Sequence, residues 1–323
     1  MKPSESIFLD IRGLRYHVRS WGREGAPKLF MLHGWMDASA SFQFFVDALK
    51  GDWHVLAPDW RGYGLTQWQG SDTYWFADAV ADLDHVLAHF QPDAPVNLIA
   101  HSFGGNVASV YSGAMPERIA RYVNIDGFGP RSEGVKPARL ERKGEPPPTA
   151  PATPVEIPPK RYADWLDRIR KGSGFKDFTT FEDLEKRLQR DHPRVTPERI
   201  TYLARNWARV NDAGRVVMVT DTANAQNDGM HISIRLDEAI ACWQRITAPV
   251  LWLIAEQGAS RSRARELDNG GAQSRLQHFR TRREVRLPDT GHMVHLEKPE
   301  LLAQLVEDFI NEGSHQASGS TAP

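Results

Sequence analysis

Val96-Asn97-Leu98-Ile99-Ala100-His101-Ser102-Phe103-Gly104-Gly105 is an apolar run ending in a serine and two glycines, with the helical stretch Asn106–Met115 behind it. The pattern predicts a buried strand, a tight turn and a helix, with Ser102 on the turn. Such a turn forces the hydroxyl out beyond the sheet edge, and its neighbours must be small because strand and helix nearly touch. The start of the helix also leaves N–H groups without intrahelical partners, where negative charge develops on a bound carbonyl oxygen. A serine placed in this way is suited to attack a carbonyl carbon.

Outward from this turn, short β-branched or leucine-rich runs alternate with longer helical patterns, which predicts an α/β fold with a mostly parallel central sheet and helices on both faces. After a hairpin (Ile7–Ile11, Leu14–Val18), strands are expected at Leu29–Leu32, His54–Ala57, Val96–Ala100, Tyr122–Ile125, Val250–Ala255 and Glu284–Leu287. Helices are expected at Ser41–Leu49, Tyr74–Phe90, Asn106–Met115 and Pro299–Ile310, the last with Leu301, Leu305 and Phe309 as its apolar stripe.

The alternation stops at Pro130. Pro137, Pro146–Pro148, Pro151, Pro154, Pro158 and Pro159 predict a stiff, extended linker. Helical patterns follow at Tyr162–Arg170, Thr180–Arg190 with a Thr-x-x-Asp start, Pro197–Arg209 and Leu236–Arg245. The expected organisation is a core at 1–129 and 247–311, an insertion at 130–246 made of linker plus helical cap, and a disordered tail at 312–323.

A chain of 323 residues with 41% apolar content buries one substantial core. Its 40 Lys and Arg against 41 acids create no global field to hold nucleic acid or an anionic membrane, so a small-molecule substrate is favoured. Cys242 is the only cysteine, which excludes an internal disulfide, and its setting reads as a buried helix rather than a reactive thiol. The stretch MKPSESIFLD lacks an apolar signal region and no run approaches a membrane span, so a cytoplasmic enzyme is expected. None of the motifs requires a metal or a cofactor, and none fixes an oligomeric state.

The Ser102 turn resembles the Gly-x-Ser-x-Gly elbow of the α/β-hydrolase family, with Ala100 for the first glycine and Gly104 for the second. Asp59-Trp60-Arg61-Gly62-Tyr63-Gly64 is similar to a loop of the same family and reads as structural. The resemblance covers about residues 7–128 and 247–311, and is closest to the serine-hydrolase-like branch. It implies that Trp35, after His33-Gly34, and Phe103, after the nucleophile, donate backbone N–H groups to an oxyanion hole. It also identifies Asp289-Thr290-Gly291-His292 and the following Glu297-Lys298-Pro299 as the catalytic-histidine loop. His292 is then the base, with His295 as the competitor; only His292 directly follows the loop glycine.

The third member is less direct. The family's usual acid position, past Val250–Ala255, falls on Gly258. A second position lies at the end of the strand after the nucleophile helix, as in dehalogenase-like relatives, and there the sequence has Asp126. Strand ends on one sheet edge are the only places from which a short carboxylate reaches the far ring nitrogen of the histidine. Asp126 is favoured over Glu256, whose longer side chain offsets its earlier position.

A serine nucleophile narrows the chemistry. Dehalogenases and epoxide hydrolases of this fold attack tetrahedral carbon with a carboxylate, leaving an ester that water cleaves; serine there would leave an ether. Acyl transfer to water through an acyl-enzyme remains, with a carboxylic ester of a small, largely apolar substrate as the leading reading. Thioesters and carbon–carbon bonds beside a ketone are alternatives on the same machinery, and so is a non-catalytic ligand-binding protein. Trp165, Phe175, Phe178, Phe181, Trp207 and Trp243 make the cap aromatic-rich, chiefly for packing. The arginine run Arg261, Arg263, Arg265, Arg275, Arg280, Arg282, Arg283 and Arg286 reads as a solvated helix face rather than a site for an anionic substrate.

Overall fold

Leu29, Phe30, Met31 and Leu32 are all sealed from solvent in strand β3 (Lys28–Leu32) of the computed structural model, which describes residues 1–130, 157–172, 174–226, 234–258 and 273–312. Phe30 and Leu32 join one apolar cluster and Leu29 and Met31 another, because successive side chains of a strand point to opposite faces. A strand apolar on both faces needs cover on both.

That cover explains the architecture. An eight-stranded sheet has the order β1 (Ser4–Ile11), β2 (Leu14–Trp21), β4 (His54–Pro58), β3, β5 (Val96–His101), β6 (Ile119–Ile125), β7 (Val250–Ala255) and β8 (Arg282–Leu287). The first two pairings, β1 with β2 and β2 with β4, are antiparallel; the rest are parallel. Helices α1 (Gln43–Ala48), α2 (Phe76–Phe90) and α3 (Phe103–Ala114) occupy the first three crossovers. All of the expected strands form.

Beyond β6, α4 (Ile157–Lys171) begins earlier than the pattern suggested, with Pro158 and Pro159 in its first turn. Proline is tolerated there because those N–H groups have no intrahelical acceptor, so these two residues belong to the helix and not to an extended linker. The rest of the proline-rich segment, Arg131–Glu156, and the tail beyond Glu312 lie outside the described residues. Helix α5 (Phe181–Asp191) starts where Thr180 Oγ1 accepts the Asp183 N–H at 3.2 Å. Helix α6 (Pro197–Trp207) stops two residues before the expected Arg209: Ala208–Val210 turns extended and pairs antiparallel with Val216–Met218. Asn211 Oδ1 closes that hairpin by accepting the Ala213 and Arg215 N–H groups.

Helix α7 (Leu236–Trp243), assigned by pattern to the insertion, packs on α3 and carries Ala239 and Trp243 into the sheet-facing cluster with α2 and α3. On the opposite face lie α1 and the C-terminal α9 (Pro299–Asn311), which follows the short α8 (Val294–Glu297). The buried stripe of α9 is Leu302, Val306, Phe309 and Ile310; Leu301 is exposed. The expected Leu301–Leu305–Phe309 stripe is thus rotated by one position, since the observed set brings more apolar area to the sheet.

A third cluster joins α5 and α6 to the core. Leu184, Leu188, Ile200, Leu203 and Trp207 pack with Ala38, from the loop after β3, and with Met293 and Leu296, from the loop after β8 and the short helix α8 that follows it. Each fully buried side chain of this size contributes about 1.5–3 kcal/mol. These helices are therefore anchored on the two segments, after β3 and after β8, that flank Ser102.

The arginines follow a different logic from the one expected. Arg282, Arg283 and Arg286 lie on β8, one of the sheet's two outer strands, where Arg282 pairs with Glu284 at 2.9 Å and Arg283 with Glu312 at 2.5 Å. They form no helix face; they guard an edge, since charged side chains discourage pairing with another strand. Arg275 is buried, and Arg261, Arg263 and Arg265 lie outside the described residues.

Candidate active site

Ser102 stands between β5 and α3 with φ 52° and ψ −111°, a conformation that L-residues rarely adopt. Its own N–H donates to the Ile125 carbonyl at 2.9 Å, and Gly104 N–H donates to the His33 carbonyl at 3.1 Å. The turn is thereby tied to the ends of the strands on both sides. Cβ positions are equally close: one built on Gly34 would fall 3.3 Å from Ser102 Cβ and 2.9 Å from His101 Nδ1. Only glycine lets the loop after β3 run this near the serine.

His292 reaches the same place from the loop after β8. Glu297 accepts the Gly291 N–H at 2.7 Å and pins that loop, while Gln257 N–H donates to the Thr290 carbonyl at 2.9 Å. His292 Nε2 lies 2.9 Å from Ser102 Oγ, and His292 Nδ1 lies 2.7 Å from Asp126 Oδ2. An ionised carboxylate only accepts, so Nδ1 carries the proton and Nε2 presents a lone pair to the serine hydroxyl.

Asp126 is buried at the end of β6, also at positive φ (54°). Its N–H donates to the Leu253 carbonyl at 2.9 Å and its Oδ1 accepts the Ala255 N–H at 3.2 Å, so β7 holds both the backbone and the side chain. Glu256 is exposed, one residue past β7, and its backbone N–H continues the pairing to Leu287. The structure brings Asp126, and not Glu256, to His292.

His295 does not compete for the serine. It is buried beneath the site, with Nε2 3.2 Å from Ser41 Oγ and 3.6 Å from Asp37 Oδ2. Sequence reasoning missed this polar cluster of Asp37, His101 and His295, the one group among the described residues whose side chains lie close enough to share a metal ion. Its signal was there: all three flank recognised motifs, but nothing in their spacing said that they meet. His101 Nε2 donates to the His292 carbonyl, and Asp37 accepts from Ala38 N–H and Ser41 Oγ–H, so the cluster is knit by hydrogen bonds within the protein.

Trp35 lies just past Gly34, with its indole N–H donated to the Asn224 carbonyl at 3.1 Å. Phe103 is the first residue of α3, so its N–H has no acceptor inside the helix. Its ring meets Trp60 and Phe76 edge-on at 6.0 and 5.9 Å. Trp35, Trp75, Phe76 and Phe103 wall an aromatic cleft beside the serine loop, with the buried Asn224 also in its lining. Trp75 in turn packs against Trp165 of α4 at 6.1 Å.

The loop Asp59–Gly64 braces this wall. Arg61 is clamped by both oxygens of Asp82 at 2.6 Å each. Asp59 accepts from His17 Nδ1, Ser39 N–H and Leu65 N–H. Burial alone would raise the Asp59 carboxyl, but the hydrogen bond and charge of His17 outweigh it and hold the group at about 2. Burial pushes the Cys242 thiol up, against the opposing pull of Arg245, as expected of an unreactive cysteine.

The profile of a family described as alpha/beta hydrolase fold matches residues 27–299. The chain belongs to the α/β-hydrolase fold family. Within this family it is similar to a zebrafish (Danio rerio) serine hydrolase-like protein, 27% identical over 297 residues, which cover 91% of this chain and 84% of that protein. A human serine hydrolase-like protein is 28% identical over 110 residues, 34% of this chain and 54% of that one. Among solved α/β-hydrolase structures, a thioesterase domain from the curacin biosynthetic pathway superposes with TM-score 0.77 at 19% identity, over 94% of this chain and 99% of that domain, a likeness of fold. Membership supports hydrolase activity, and these likenesses support the serine-hydrolase-like branch. No helix among the described residues is long and apolar enough to cross a membrane.

Proposed function

We propose that this α/β-hydrolase is a serine hydrolase that cleaves a carboxylic ester, or a related acyl bond, of a small and largely apolar substrate. The hydrogen-bonded line from Ser102 Oγ through both His292 nitrogens to Asp126, at 2.9 and 2.7 Å, carries this reading. His292 Nε2 takes the Ser102 proton as Oγ bonds to the acyl carbon, and Asp126 stabilises the imidazolium that forms. The imidazolium then protonates the departing alcohol, leaving an acyl-serine. Water, deprotonated by the same nitrogen, attacks the acyl carbon; the serine oxygen leaves with the proton and the carboxylic acid is released.

Backbone N–H groups of Trp35 and Phe103 hold the oxyanion in this scheme, worth on the order of 3 kcal/mol each. The aromatic cleft beside them favours an apolar substrate group. Helices α4–α6 act as the cap over the site. A fluorophosphonate probe tests the reading: the wild type is labelled and Ser102→Ala is not. Absence of label on both proteins overturns it.

A further inference from the structure

His101 lies among the nucleophile strand, the base loop and the loop that carries Trp35. It is followed directly by Ser102; its Nε2 donates to the His292 carbonyl at 2.8 Å; and its Nδ1 edge faces Gly34, where an added Cβ would fall 2.9 Å away. Its ring lies between those of His292 and His295, with centroids 4.6 and 4.7 Å apart. Beyond His295, Ser41 and Asp37 continue the chain into the loop that carries Trp35. One buried ring thus contacts the nucleophile strand, the base loop and the loop of the proposed oxyanion donors.

We propose that His101 is a positioning residue: its Nε2–H fixes the backbone of His292, and its ring spaces the Gly34–Trp35 loop from Ser102, so that nucleophile, base and oxyanion donors keep one register. The assignment rests on the reading of Ser102 and His292 as nucleophile and base. Burial, with the neighbouring His292 and His295, holds the His101 imidazole well below the ordinary histidine range. A ring that stays neutral keeps a single proton, and the His292 carbonyl can only accept, so that proton stays on Nε2. Its Nδ1 has no hydrogen-bond partner among the described residues, so one donated bond is its whole polar role.

Three substitutions separate positioning from filling. Gln places its amide nitrogen near the position of Nε2, Asn places its own near Nδ1, and Phe keeps a ring with no donor. Turnover of p-nitrophenyl acetate and fluorophosphonate labelling rates are measured beside thermal stability. In His101→Phe and His101→Asn, kcat falls on the order of 10²-fold with KM little changed, as a displaced base predicts. His101→Gln recovers most of that loss. Equal kcat in His101→Phe and wild type overturns the assignment, as does Asn matching Gln, or a loss in all three that merely tracks their melting temperatures.

A readout without turnover keeps the two readings distinct. Nitrogen-15 histidine NMR of the full chain detects the His292 Nδ1 proton shared with Asp126. That resonance is expected in wild type and His101→Gln, and exchange-broadened in His101→Phe. Its persistence in His101→Phe overturns the positioning role even if no ester is cleaved, whereas an unlabelled wild type counts against the hydrolase reading alone.

Discussion

Gly258 leaves open the space that the carboxylate of Asp126 fills: a Cβ built on Gly258 would lie 2.6 Å from Asp126 Oδ2, 2.9 Å from Ala255 Cβ and 3.1 Å from His292 Cα. The empty acid position after β7 and the occupied one after β6 are two sides of one arrangement. A side chain at 258 and a carboxylate from 126 exclude each other.

Gly258→Ala is therefore expected to push the carboxylate off His292 Nδ1 and lower kcat on the order of 10²-fold, with the fold intact. Circular dichroism and ester turnover measured on the same preparation check this. Wild-type turnover in the variant would mean that the carboxylate has room to spare.

Asp126→Asn keeps the volume but replaces an obligate acceptor with a group that offers a donor, favouring the wrong imidazole tautomer. Turnover should fall on the order of 10⁴-fold, by analogy with other serine triads. Glu256→Gln, at an exposed position, should leave it unchanged. The reverse order transfers the acid role to Glu256.

Two fully buried histidines contribute to the acid side of the stability profile. Burial lowers His33 and, more strongly, His101 below the ordinary value, so the folded chain takes up protons at these rings less readily than the unfolded chain, which protonates them below about pH 6.5. The unfolded state then binds more protons, and stability falls as pH falls, by at most about 1.4 kcal/mol per pH unit for each histidine. Urea denaturation at pH 7, 6 and 5 measures the slope; a flat profile contradicts it.

Asp59 acts lower on the scale and with the carboxylate sign. Held at about 2 when folded against an ordinary 3.8, it contributes stability that is complete above the ordinary value and is lost as pH falls toward 2. Asp59→Asn should reduce stability at pH 7 and flatten the acid transition between those limits. An unchanged transition would remove Asp59 from the list of groups that drive it.

The parts of this molecule visible in its sequence are those set by local periodicity and by short motifs. Leu29–Leu32 reads as a doubly covered strand because every position is apolar, and Ser102 reads as an elbow because its glycines leave few other options. Positions decided by tertiary contact were harder to see. The helical period of α6 runs on through Arg209, yet the strand partner Val216–Met218 captures Ala208–Val210 instead. The stripe of α9 is chosen by the sheet it meets, so Leu302 is buried and Leu301 is not. Asp37, His101 and His295 are far apart in the chain, and a polar cluster assembled from a loop, a strand end and a short helix leaves no periodic trace.

The serine and its base are separated by 190 positions along the polypeptide, and the base arrives only after β8 has joined the sheet. During synthesis the hydroxyl would emerge from the ribosome long before the imidazole proposed to activate it. In the proposed mechanism a partly made or truncated chain therefore holds a serine without its base, and the pair is complete only when the last strand has docked.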